Sequence, residues 1–169
     1  MIPDRCREFD EGLHSISTRG LKAWGAWVAG FANAEDCIAA GLEQSCQDGD
    51  WGSFDLYVFA ASQHPSPSFT RPLCGVLSRR IDEVNNEDIV DALAEIRDPA
   101  AVGCLEETIW WEPEWDEYRG LAIKAVWALA AIGTPEAIAV LRDTASSADE
   151  RTRQFAAHAL SQTAHDEPL

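Results

Sequence analysis

The strongest constraint on the fold is an internal repeat. Ala92–Thr108 reads ALAEIRDPAAVGCLEET and Ala128–Thr144 reads ALAAIGTPEAIAVLRDT, an offset of 36 residues. Ala92, Leu93, Ala94, Ile96, Pro99, Ala101, Leu105 and Thr108 return as Ala128, Leu129, Ala130, Ile132, Pro135, Ala137, Leu141 and Thr144. A period of this length marks a supersecondary unit that buries its apolar face only by stacking on its neighbours.

Each copy reads as helix, tight turn, helix. Ile89, Leu93 and Ile96 keep one helical face apolar. Asp98-Pro99 places a side-chain acceptor before a proline at the first helical position, where a missing N–H costs nothing. Gly133-Thr134-Pro135 repeats the device with an added helix-ending glycine. Val102, Leu105 and Ile109 stripe the second helix, a role that passes to Ile138 and Leu141 in the next copy.

The run LAIKAVWALAAIGTPEAIAVLRD, Leu121–Asp143, with the weaker copy Ile89–Thr108, resembles HEAT repeats. The likeness is greatest to the short bacterial type related to the phycobilisome-lyase HEAT-like repeats. It is good over about residues 86–160. RTRQFAAHAL, Arg151–Leu160, would be a closing helix. Upstream, Leu56–Gln63 with Phe69–Arg80 would form a degenerate pair turning at HPSPS. Leu21–Phe31 with Ala34–Gln47 would form another, with Asn33 as turn and N-cap. The resemblance implies an all-α, right-handed α-α superhelix of about four helix pairs plus a closing helix. That amounts to eight or nine helices in a single domain spanning residues 1–169, with frayed ends at about 1–12 and 163–169.

Charge narrows the partners. The formal net charge is −16 over 169 residues. Asp82–Glu117 alone carries 13 acids against one base, Arg97. Such a field repels nucleic acid and anionic membranes and attracts basic proteins. The N-terminus, MIPDRCREFDEG, has no apolar signal segment, and Leu21–Phe31 is too short to span a bilayer. The five cysteines are odd in number and lack C-x-x-C spacing. Neither a disulfide framework nor a zinc site is expected, and the chain reads as reduced and cytoplasmic. Cys37, Cys74 and Cys104 are expected to pack as small hydrophobes.

No catalytic constellation is legible. His14, His64, His158 and His165 show no metal spacing, and no phosphate loop or nucleophile elbow occurs. Acid pairs such as Glu106-Glu107 read as solvated helix faces. No enzyme activity, cofactor or metal is expected. Trp24, Trp27 and Trp127 read as core, and Trp51 as a plug at a turn.

WWEPEWDEY, Trp110–Tyr118, is different, because it lengthens the connection between repeats with tryptophans and carboxylates. Pro113 stops a helix from running through. Trp110 is expected to continue the apolar stripe Val102–Leu105–Ile109. Trp111, Glu112, Glu114, Trp115, Asp116 and Glu117, with Glu106 and Glu107, form the candidate partner-binding set: rings for buried area, carboxylates for steering. By resemblance, Glu106, Glu107, Arg142 and Asp143 would lie near the concave side. The reading is a non-catalytic module that binds a basic protein, with a bacterial immunity or antitoxin protein facing a basic toxin as its sharpest form. The alternative is a HEAT-like subunit or adaptor of an enzyme, phycobilin-lyase-like or other. A nucleic-acid role, known for some HEAT-like DNA glycosylases, conflicts with only 13 Lys and Arg.

Overall fold

The structure, a computed structural model, describes residues 2–16 and 21–163, with residues 16 and 21–24 described by backbone alone. Its helices are α1 Arg7–Ile16, α2 Leu21–Ala29, α3 Ala34–Asp48, α4 Trp51–Gln63, α5 Thr70–Leu77, α6 Asn86–Ile96, α7 Val102–Ile109, α8 Gly120–Ile132, α9 Pro135–Thr144 and α10 Glu150–Thr163. No strand occurs among the described residues. The all-α helical-repeat architecture is the one expected. Pairs α2/α3, α4/α5, α6/α7 and α8/α9 are closed by α10. The helices α2, α4, α6, α8 and α10 stack in sequence as one layer, and α3, α5, α7 and α9 as the other.

Local chemistry sets the turns. A polar acceptor followed by proline recurs. Ser66 accepts from the Ser68 amide before Pro67, and Asp98 accepts from the Ala100 amide before Pro99. Thr134 accepts from the Ala137 amide before Pro135. These caps satisfy amides that the first helical turn would otherwise leave unpaired. Asn33 stands at the N-cap of α3 but does not cap it. Its side chain donates instead to the Arg5 carbonyl at 3.0 Å and to Cys37 Sγ at 3.3 Å.

The stack also joins residues one repeat apart. Glu35 meets Ser68, Cys46 meets Arg79, Asp82 meets Trp115, Asp91 meets Lys124 and Tyr118 meets Arg151, each at a separation of 33. The spacing runs through the degenerate first half, so the repeat persists there in three dimensions after it has faded in sequence.

That geometry overturns the cysteine expectation. Cys6 and Cys37 form a disulfide across 31 residues, and Cys74 and Cys104 form another across 30. Both separations are about one structural repeat, so equivalent faces of successive units place the sulfurs side by side. Among the described residues Cys46 is the free thiol, and it accepts from the Arg79 guanidinium at 3.2 Å. The reading of a fully reduced chain therefore does not stand. The frayed N-terminus is also corrected. Residues 7–16 are α1, and Cys6, Phe9 and Leu13 are buried at helical spacing. Phe9 stacks on Trp27 at 5.1 Å. At the other end α10 runs through Thr163, and residues 164–169 lie outside the described residues.

The core is one continuous cluster running from Cys6 to Ala159. Trp127 is half-buried against it, edge-on to His158 at 5.6 Å. Trp51 begins α4, packs edge-on to Phe54 at 6.0 Å and lies beneath Arg79. The side chain of Trp24, expected in the core, lies outside the described residues.

Candidate functional site

The loop of residues 110–119 joins α7 to α8. Helix α7 ends at Ile109, and Trp110 leaves the helical path at φ −97°, ψ 0°. That departure reverses the roles of the first two tryptophans. Trp110, expected to continue the apolar stripe, is 48% exposed, whereas Trp111 is only 8% exposed and joins the core. The stripe of α7 cannot be extrapolated past its last helical residue. The Trp111 ring lies beneath the Arg80 guanidinium at 5.9 Å and makes a T-shaped pair with Trp115 at 6.2 Å.

Two residues lock the loop from inside. Arg119 adopts φ +60° at the start of α8. Its guanidinium donates to the carbonyls of Ile109 at 2.9 Å and Trp111 at 3.1 Å. It also pairs with Glu112 at 3.3 Å and Asp149 at 3.6 Å. Asp116 accepts from the amides of Gly120 at 2.6 Å and Leu121 at 3.0 Å, and so caps α8. Part of the aromatic–acid interleaving is therefore structural: Trp111 anchors and Asp116 caps.

The rest faces outward. Glu112, Glu114, Trp115 and Glu117 are exposed on the loop, and Glu106 and Glu107 are exposed on α7. Trp110, Trp115 and Tyr118 are the large apolar side chains exposed among the described residues, and all belong to this loop. Tyr118 and Trp110 belong with the candidate set although sequence reasoning left them out. Tyr118 is held by Arg151, which donates to its carbonyl at 2.9 Å and lies over its ring. Asp82, one repeat before Trp115, accepts from the Trp115 indole N–H at 3.3 Å. The repeat offset read from the sequence is 36 and pairs Trp115 with Arg79, so nothing in the sequence pointed to Asp82.

Beside the loop, α6 carries an acid row. Lys124 of α8 bridges Asp91 at 2.6 Å and Glu87 at 3.1 Å. Burial pushes the Asp88 carboxyl up, against the pull of Lys124, with Asp91 and Glu87 adding to the rise. Burial likewise pushes Asp55 of α4 up, although the Asn85 amide opposes it. No group of three or more His, Cys, Asp or Glu side chains suited to a metal occurs among the described residues.

A second polar cluster joins α1 to α4. His14 Nε2 lies 3.0 Å from Ser53 Oγ, His14 Nδ1 lies 3.5 Å from Asp10 Oδ1, and Tyr57 donates to Asp10 at 2.5 Å. Ser, His and Asp are thus brought together, a grouping the sequence did not reveal. Ser53, however, gives its hydroxyl proton to Asp50 at 2.6 Å, and His14 Nδ1 also lies 2.9 Å from the Asp10 carbonyl oxygen. A hydroxyl committed to a carboxylate is not delivered to the imidazole as a nucleophile. The cluster ties α1 to the stack.

Residues 116–169 match the HEAT repeats family model. The match begins inside the loop and takes in α8, α9 and α10. A comparison with curated proteins finds no match. No helix among the described residues is long and apolar enough to cross a membrane.

Proposed function

We propose that this chain is a non-catalytic protein-binding repeat module that grips a basic protein through the loop between α7 and α8. HEAT repeats generally mediate protein–protein interaction, which supports the coarse reading. The observation that carries the finer one is the concentration of Trp110, Trp115 and Tyr118 on one loop among the exposed Glu112, Glu114 and Glu117. Large exposed rings mark interaction sites more reliably than scattered apolar residues do. Carboxylates around them steer a basic partner and exclude an acidic one. The contact set is Trp110, Glu112, Glu114, Trp115, Glu117 and Tyr118, flanked by Glu106 and Glu107. Trp111 and Asp116 support it from beneath. An immunity or antitoxin role, in which the loop covers the cationic cleft of a toxin, fits this chemistry best. A cytoplasmic site of action requires the two disulfides to survive there, where such bonds are rare.

The test is capture of protein partners by wild type and by a Trp110→Ala/Trp115→Ala/Tyr118→Ala variant, at low and high salt. A basic protein held by wild type, lost by the variant and released by salt is the expected result. Equal capture by both proteins would remove the loop from the function.

A further inference from the structure

The two disulfides differ in what surrounds them. Cys6 and Cys37 are 1% and 0% exposed, and the Asn33 amide donates to Cys37 Sγ at 3.3 Å. Cys74 of α5 and Cys104 of α7 pack against the core but stay partly open to solvent. Each has an exposed glycine beside it in the chain, Gly75 and Gly103, where an added Cβ would meet nothing within 4 Å. Glycine in a helix is less stable than alanine, so its use there asks for a reason. At Gly12 and Gly41 the reason is packing: a Cβ would strike the Trp27 ring at the first and the Tyr57 ring at the second. No packing accounts for Gly75 and Gly103. They leave both positions next to the bridge bare of side chains. Thiol–disulfide exchange requires a thiolate to reach a sulfur, so access separates two bridges within one chain.

The open bridge also stands over the support of the loop. The chain runs from Cys74 to Arg80 and from Cys104 to Trp111, and these ends meet with the Arg80 guanidinium 5.9 Å from the Trp111 ring. Cys104, Arg80 and Trp111 line one crevice of about 10 Å³, together with Leu77 and Thr108. A space of that size barely admits one water, so α5 and α7 are closely packed from the bridge to Trp111.

We propose that Cys74–Cys104 is a reversible redox site opened by small-molecule thiols, and that its opening loosens the seat of Trp111 beneath the loop. Cys6–Cys37 is the bridge that stays closed. A thiolate bonds to one bridge sulfur, the Cys74–Cys104 bond breaks, and its electron pair leaves on the other cysteine, which takes up a proton. A second thiolate attacks the sulfur of the attached thiol and releases the first cysteine, which takes up the second proton. Two small thiols are thereby oxidised to one disulfide, and the bridge is reduced to two cysteines. Neither step depends on the partner proposed above.

The test treats the native, full chain with reduced glutathione, quenches with acid, alkylates the denatured protein and reads each cysteine by peptide mass spectrometry. Cys46 is labelled throughout. Cys74 and Cys104 should open at least about tenfold faster than Cys6 and Cys37, because the buried pair must first be uncovered by local unfolding. An excess of oxidised glutathione should restore the bridge. Hydrogen exchange on the same partly reduced protein should show loss of protection at the Trp111 amide, which donates to the Thr108 carbonyl at 3.1 Å. The Cys74→Ser/Cys104→Ser variant should show that loss without any thiol. Equal opening of both bridges, opening of neither, or opening of Cys6–Cys37 first overturns the assignment, as does a bridge that oxidised glutathione fails to restore. Unchanged protection at Trp111 in either protein overturns the link to the loop. Labelling of all five cysteines before glutathione is added overturns the proposal entirely.

Discussion

The Arg119 guanidinium reaches back beneath its own loop to the carbonyl oxygen of Trp111, at 3.1 Å. The same group holds the Ile109 carbonyl at 2.9 Å, so one side chain closes the C-terminal end of α7 and the entry to α8. The last carbonyls of a helix have no partner within it, and a cation there also suits the helix dipole. The exposed rings of Trp110 and Trp115 are therefore displayed from a fixed base, which would lower the ordering cost of the proposed binding.

Removing that base should be costly. Hydrogen bonds to a charged group contribute about 1.5–3 kcal/mol each and are not fully additive. Arg119→Ala is expected to lower unfolding free energy by about 2–4 kcal/mol, read by urea denaturation. Arg119→Gly should lose less, by on the order of 1 kcal/mol, because φ +60° strains any residue with a Cβ. Equal losses would show that backbone strain at this position is negligible.

The same strain recurs at Arg97, which ends α6 at φ +55°, its amide donating to the Leu93 carbonyl. Its repeat equivalent, 36 residues on, is Gly133, which ends α8 at φ +67° and donates to the Leu129 carbonyl. One copy of the repeat has the residue that the conformation favours and the other does not. Relief of the left-handed strain is worth about 1–2 kcal/mol, and the added freedom of the unfolded chain offsets about 0.5–1. Arg97→Gly is therefore expected to stabilise by about 0.5–1 kcal/mol, seen as a rise in Tm. A fall in Tm would mean that the Arg97 side chain contributes more than its backbone costs.

The parts legible in the sequence are those governed by local chemistry. The apolar stripes of α6 to α9, the Asp98-Pro99 and Thr134-Pro135 caps and the closing helix α10 each follow from residues within a few positions. The parts that were not legible depend on the neighbouring repeat. Whether Trp110 or Trp111 turns inward is decided by where α7 stops and by Arg80, 31 positions before Trp111 in the chain. Arg119 gives no hint of a left-handed backbone, because glycine and asparagine usually take that position. Helix α1 is the exception. Its Phe9 and Leu13, with Cys6 in the turn just before it, already lie at helical spacing, and the signal was masked by the surrounding charges.

The disulfides can be counted chemically. Alkylation of the denatured, unreduced protein should label Cys46 alone of the five cysteines, and reduction should expose the other four. Each bridge closes a loop of 30 or 31 residues. In the chain-entropy view each therefore contributes about 2–4 kcal/mol, although the mechanism depends on the model. Reduced protein should melt at lower temperature, with the double variant Cys74→Ser/Cys104→Ser reproducing part of the loss. Five labelled cysteines without reductant would return the chain to the reduced state its spacing suggested.

Acid titration should separate two classes of carboxylate. Burial raises the folded-state value of Asp55, with Asp88 adding to it and the Asn85 amide opposing it. A carboxyl with a raised folded value binds its proton more readily folded than unfolded. Its contribution to stability therefore increases as pH falls through the raised value, and levels off below the ordinary 3.8. Asp149 behaves oppositely. Hydrogen bonds from Thr152 hold it below its ordinary value, opposed by burial and helped by Arg119, so its contribution is lost as pH falls through the lowered value. Asp55→Asn keeps an oxygen for the Asn85 amide and removes the charge. It should raise Tm at neutral pH, and the gap to wild type should close below about pH 4, where the wild-type carboxyl is itself neutral. Asp149→Asn should instead lower Tm at neutral pH, again with a gap that narrows in acid. Melting curves across this range decide the matter. A gap for Asp55→Asn that does not change with pH would show that its effect comes from packing and not from a buried charge.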